Sequence, residues 1–147
     1  MTSRYMPENW ALPALDDRNR AFFTSGRIAL QECAKCGTVQ HPPEEICHAC
    51  QGLEFTIREV EGRGTIHSYI VVHHAANHAL RYRVPYAVVL IALEDQPAVR
   101  IVGNLLNIAS EQIQIGMPVR AVWEEIEVDG EILRLPQWEV IEGRHGN

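Results

Sequence analysis

The chain has 147 residues, of which 46% are hydrophobic and 22% charged, a composition that excludes a largely disordered polymer and allows one core with a small satellite. Thirteen Lys plus Arg against 19 Asp plus Glu give a net charge of -6, with Lys35 the single lysine; this weighs against a nucleic-acid binder, which usually presents a basic face. No apolar run approaches the roughly 20 residues needed to cross a bilayer, and the amino-terminal segment MTSRYMPENWALPALDD lacks an export signature, so a soluble, cytoplasmic protein is expected.

Residues 1–13 read as an extended arm with Trp10 and Leu12 as anchors. From Pro13 the spacing of Leu15, Phe22 and Phe23 predicts an amphipathic helix over Ala14 to Ser25, closed by Gly26. Asp16 and Asp17 in its first turn and Arg27 beyond its end agree with the helix dipole. Ile28, Leu30 and Glu32 begin a strand, and Leu53, Phe55 and Ile57 resume an alternating pattern further on.

Between those strands lies ECAKCGTVQHPPEEICHAC, which holds all four cysteines as C-x2-C-x10-C-x2-C. Two Cys-x-x-Cys turns each place two sulfurs on one side of a knuckle, and the loop between them brings the pairs around a tetrahedral ion. Cys33, Cys36, Cys47 and Cys50 are the expected ligands. Zinc is the expected ion, with a rubredoxin-type iron as the alternative. Two disulfides fit poorly in a chain without an export signal, and a thioredoxin-like dithiol wants one such turn, not two. Four thiolates close the shell, so the ion organises the fold and has no open position for water. His41 and His48 are expected beside the site, not in it. Gly37 and Gly52 are expected to serve tight turns with positive φ.

Gly62 and Gly64 mark a turn, after which TIHSYIVVHH, VPYAVVLIAL, AVRIVGNL, PVRAVWEEIEV and LRLPQWEVI predict five strands, with a helical turn near 108–113 and a tight turn at Asp129-Gly130. The fold class is therefore mainly β: a helix and a ribbon, followed by a five-stranded Greek-key barrel of the OB type, a sandwich being the alternative. The expected divisions are 1–27, 28–60 and 61–147. The expected barrel core is Ile66, Tyr69, Val71, Val88, Leu90, Ala92, Val102, Val119, Ala121, Trp123 and Leu135, a set that a one-residue slip in register would turn outward.

No activated nucleophile, G-x-S-x-G turn, phosphate loop or dinucleotide fingerprint is present, and every cysteine is assigned to metal. His67, His73, His74 and His78 cluster in sequence without a partner that would make one of them a proton-transfer group. Trp10, Phe22, Phe23, Tyr82, Trp123 and Trp138 are candidates for an interface, with core packing the default for each.

The segments FTSGRIALQEC, the cysteine ribbon, GRGTIHSYIVVHH, VPYAVVLIAL and IQIGMPVRAVWEEI followed by LPQWEV together resemble the DUF35 family, proteins with a rubredoxin-like zinc ribbon ahead of an OB-fold and a role in acyl-CoA metabolism. The second knuckle departs from the family pattern: His48 stands where proline, and Gln51 where glycine, is more usual. The resemblance implies an accessory subunit of a thiolase-like enzyme acting on a 3-oxoacyl-CoA, assembled with its catalytic partner as a heterotetramer or larger. It implies structural zinc and a coenzyme A thioester as ligand of the complex. Arg81, Tyr82 and Arg83 are the candidate CoA contacts, since guanidinium groups fit phosphate oxygens and an aromatic can cover adenine; Lys35 is a further candidate. An accessory subunit of a thiolase-fold aldolase acting on a β-hydroxyacyl-CoA, and a nucleic-acid-binding ribbon and barrel, are the alternatives.

Overall fold

A computed structural model describes residues 5–141; residues 1–4 and 142–147, the ends of the expected arm and barrel, lie outside the described residues. One short helix, α1 (Arg20–Thr24), precedes three ribbon strands, β1 (Ile28–Cys33), β2 (Val39–Gln40) and β3 (Phe55–Val60), which form an antiparallel sheet in the order β2-β1-β3. Five further strands follow: β4 (Arg63–Val72), β5 (Tyr86–Leu93), β6 (Arg100–Leu106), β7 (Pro118–Val128) and β8 (Glu131–Val140). They close into a barrel in the order β4-β5-β6-β8-β7, with β6 and β8 parallel and β7 returning to β4. Closure pairs the outer strands of the barrel, relieving the edge hazard that an open five-stranded sheet would carry. Short 3-10 turns at His78–Leu80 and Ser110–Gln112 sit in the β4–β5 and β6–β7 connections.

The helix is shorter than the expected Ala14 to Ser25. The Asp16 carboxylate accepts from the Arg18 and Asn19 amides, and Asn19 Oδ1 accepts from the Asp16 amide. These bonds have the form of a capping box and, with the Arg20 amide donating to the Asp16 carbonyl at 3.1 Å, set a turn over 17–19 ahead of the regular helix at Arg20. No acidic residue then falls in its first turn, so the expected dipole pairing with Asp16 and Asp17 is not made.

The barrel core is Ile66, Ala87, Val89, Ile91, Leu93, Val99, Ile101, Leu105, Ile113, Val119 and Trp138, continuous with Phe22, Ile28 and Leu30 of the leader and ribbon. The expected register of β5 was off by one: Ala87, Val89, Ile91 and Leu93 point inward, while Val88, Leu90 and Ala92 are half-buried on the other face. Val102 is 67% exposed because Ile101 and Leu105 take the inward positions of β6. Leu135 is buried, but outside the barrel, in a second cluster with Ile126 and Leu133 against which Met6, Leu12, Leu15 and Phe23 of the leader pack.

Trp138, counted above among interface candidates, is fully buried. An indole buries roughly 200 Å², and space for this one is made by Gly103, where a Cβ would lie 2.6 Å from Trp138 Cδ1. Gly64 is not part of a turn. It lies within β4, where a Cβ would meet the Ala92 carbonyl oxygen at 2.3 Å.

Candidate metal centre and the surfaces around it

β1 delivers Cys33 at its end, and the chain then makes two knuckles of the same form. The Lys35 and Ala49 amides donate to Cys33 Sγ and Cys47 Sγ, each at 3.4 Å. The Gly37 and Gln51 amides donate to the Cys33 and Cys47 carbonyls, each at 2.9 Å. Each knuckle ends on a residue with positive φ: Gly37 at 79° and Gln51 at 61°. Gly52, expected at such a position, instead serves close approach: a Cβ there would lie 3.2 Å from Cys50 Sγ and 3.3 Å from Cys33 Sγ.

The four sulfurs lie within 4.8 Å of one another, with Cys33 to Cys50 and Cys36 to Cys47 each at 3.6 Å. Sulfurs bound to one tetrahedral zinc at about 2.3 Å stand about 3.8 Å apart. The donor set and its spacing therefore fit zinc. The Thr38 hydroxyl, 3.1 Å from Cys36 Sγ, with the Thr38 amide, brings the Cys36 thiol down to about 6. The Gly52 amide acts to lower Cys50 as well, but burial and the three neighbouring sulfurs push that thiol up to about 12. Four sulfurs this close cannot all ionise without a cation to neutralise them.

Two buried glutamines that sequence patterning did not single out tie the loop to the knuckles. Gln40 Nε2 donates to Gln31 Oε1 at 2.8 Å, and Gln40 Oε1 accepts from the His48 amide at 3.1 Å. Gln31 exchanges bonds with both the amide and the carbonyl of Glu44. Their signal in the sequence was faint: polar residues at strand positions otherwise filled by Ile28, Ala29 and Leu30.

His41 and His48 stay out of the sulfur cluster. His41 packs its ring 4.8 Å from that of Phe22, its Nδ1 is buried without a partner, and burial lowers its pKa. The histidines of the β4–β5 connection join no group able to hold a metal among the described residues.

The CoA candidates are not gathered into one site. Lys35 is exposed on the first knuckle and lines none of the clefts described below. Tyr82 is 89% exposed, and an Arg81 guanidinium nitrogen contacts His78 Nδ1. Arg83 is engaged with the leader, its guanidinium carbon 4.7 Å above the Tyr5 ring. Burial raises the Tyr5 hydroxyl above its ordinary value despite this cation.

The leader crosses the outer face of β5 and β6, the face on which OB barrels take their ligands. Tyr5, Met6 and Trp10 meet Leu80, Arg83, Tyr86, Val88 and Asn104 around a pocket of about 240 Å³. The leader is fixed by Glu124, 3% exposed, whose Oε2 accepts the Tyr5 and Met6 amides. Asn104 donates to Gln137 at 2.9 Å and Gln137 to Glu124 at 2.9 Å, completing the chain of bonds. A larger cleft, about 580 Å³, opens between the leader, the His41-Pro42-Pro43 loop and strands β6 and β8. A third, about 610 Å³, lies at the junction of β3 and the barrel, where Arg27, Arg63 and Arg120 border Trp123. Those arginines are paired with Glu59, Glu61 and Glu139.

A closed four-cysteine ribbon leading into an OB barrel defines the class of protein. Residues 21–56 match the rubredoxin-like zinc ribbon of ChsH2 and residues 57–124 its C-terminal OB-fold domain. A DUF35 domain-containing scaffold protein of Methanocaldococcus jannaschii is 37% identical over 100 residues, covering 67% of this chain and 69% of that protein. The chain belongs to the DUF35 family. A Thermomonospora curvata protein described as a probable enoyl-CoA hydratase alpha subunit is 37% identical over 123 residues, 82% of this chain. The chain spans only 37% of that relative's length. Among solved structures, a chain of the Ltp2-ChsH2(DUF35) aldolase matches with a TM-score of 0.70 and 38% identity, over 88% of this chain and 98% of that one. No helix among the described residues is long and apolar enough to cross a membrane.

Proposed function

We propose that the protein is a non-catalytic accessory subunit that docks on a thiolase-fold enzyme and helps position a CoA thioester, with Cys33, Cys36, Cys47 and Cys50 holding a structural zinc. The observation that carries this reading is the likeness to the DUF35 chain of the Ltp2-ChsH2 aldolase across 98% of that chain. The chemistry of the chain points the same way. Acyl transfer at carbon needs a free nucleophile and an oxyanion site, whereas the four sulfurs here are gathered within 4.8 Å of one another. When bound, zinc would supply folding energy and a rigid ribbon. Arg81, Tyr82 and Arg83 on the barrel and Lys35 on the ribbon are the proposed CoA contacts.

The reaction class we assign to the complex is CoA-dependent cleavage of a 3-oxoacyl-CoA, such as benzoylsuccinyl-CoA, with nucleophile and bases in a partner forming a heterotetramer or larger assembly. A second reading is favoured by the name of the structural neighbour: a thiolase-fold aldolase cleaving a β-hydroxyacyl-CoA. Both are tested together. The chain is co-expressed with a candidate thiolase-like protein, and the purified complex is given each substrate in turn. Products of thiolysis support the first reading and retro-aldol products the second. Turnover by the isolated chain, or failure to co-purify with any thiolase-like protein, overturns the assignment of chemistry to a partner.

A further inference from the structure

The cleft between leader, ribbon loop and barrel has features of a site for a molecule of its own. Its volume of about 580 Å³ falls in the range of small-molecule pockets, about 300–1,000 Å³. Trp10, Leu12, Phe22, Phe23, Pro42 and Val102 supply apolar walls. Val102 is 67% exposed on β6, an apolar side chain left open in the cleft wall.

One wall carries a histidine with an unusual division of its ring. His41 Nδ1 is sealed from solvent without a hydrogen-bond partner, while the residue itself lines the cleft and is only partly buried. A buried N–H without a partner is rarer than an unpaired acceptor. The ring proton therefore belongs on Nε2, where it can be donated to an occupant of the cleft. Burial lowers the His41 pKa and keeps the ring neutral at pH 7.

Of the other polar side chains around the cleft, Asp16, Arg18, Asn19, Asn104 and Gln137 already have partners. Asn104 donates to Gln137, and Gln137 to Glu124. Asp16 accepts from two backbone amides, and Arg18 lies 3.8 Å from Asp16 and 3.6 Å from Glu45. The mouth is balanced in charge, which gives an ionic ligand no advantage there.

We propose that this cleft binds a small neutral cyclic molecule bearing a carbonyl group, whose oxygen accepts a hydrogen bond from His41 while its ring lies against Trp10, Phe22 and Val102. The inference goes beyond the accessory-subunit reading, since it concerns this chain alone and its test needs no partner.

The probes are 1-tetralone and tetralin, which share a ring frame and differ in the carbonyl. Each is titrated into the full-length chain as purified with its metal, and amide shifts are followed by NMR. Saturable shifts at Phe22, Val102 and Asn104 are expected, with 1-tetralone binding about tenfold more tightly, as one hydrogen bond of about 1.4 kcal/mol gives. His41→Phe preserves the stack on Phe22 and is expected to remove that preference. Val102→Trp fills the cleft from an exposed strand position and is expected to abolish binding of both probes. The proposal is overturned by shifts that do not saturate or that map elsewhere. Equal affinity for the two probes, or a preference that survives His41→Phe, overturns it as well.

Discussion

Gln137 Nε2 donates to Glu124 Oε1 at 2.9 Å, and both side chains are 3% exposed. The other oxygen of that side chain accepts the leader's Tyr5 and Met6 amides, so one buried carboxyl group joins the leader to the β7–β8 hairpin. Truncation removes the acceptor of three donors. Glu124→Ala is expected to cost about 2–4 kcal/mol, measured by urea unfolding, and to speed amide hydrogen exchange at Met6.

Gly103 is where strand β6 makes room for the buried Trp138 indole. A methyl group there would stand 2.6 Å from Trp138 Cδ1 and 2.8 Å from its Nε1. Gly103→Ala is expected to destabilise the barrel by about 1–3 kcal/mol through overpacking, with a changed tryptophan emission maximum in the folded state.

The knuckles are alike in their bonding but not in their terminal residue. Gln51 holds φ at 61°, where its counterpart Gly37 is free of a Cβ. Gln51→Gly is expected to stabilise the metal-bound ribbon by about 0.5–1 kcal/mol, the left-handed penalty partly offset by a more flexible unfolded chain. Gly37→Ala is expected to do the reverse. Thermal unfolding of the zinc-loaded protein measures both.

Burial lowers the His41 pKa below its ordinary 6.5 in the folded chain. The unfolded state then takes up a proton first as pH falls, so the contribution of neutral His41 is present above pH 6.5 and is lost as pH falls through the folded-state value. Wild-type stability is expected to drop between pH 7.5 and 5.5 more steeply than that of His41→Phe, as read from urea midpoints.

Cys36→Ala removes one of four sulfurs that lie within 4.8 Å of one another. Elemental analysis is expected to find about one zinc per wild-type chain and well below half an equivalent in the variant. Apparent site energies of about 10–16 kcal/mol in zinc-finger peptides predict loss of ordered ribbon signals while barrel signals persist.

The metal centre was legible because four cysteines at fixed spacing admit few geometries, and the five barrel strands because each is bounded by turn residues. Which face of β5 points inward was not. Tyr86 to Leu93 is apolar at every position, so its pattern carries no phase, and the leader's packing on Val88 explains why both faces are apolar. In β4 the register shifts between Ile66 and Ser68, a break in alternation with no glycine or proline to announce it. The helix is shorter than spacing predicts because Asp16 caps its first turn and leaves Ala14 and Leu15 outside it. The cleft beside His41 depends on contacts between distant segments, which local patterns do not encode.

The leader's docking also fixes an order of assembly. Met6 and the carboxylate that holds it are 118 residues apart in sequence, and the hairpin strand that supports that carboxylate is the last of the barrel to be made. At synthesis rates of about 5–20 residues per second, the leader waits several seconds for its seat. During that interval the ribbon can acquire its metal, and Trp10 and Leu12 remain free to meet a chaperone or a partner chain before the barrel claims them.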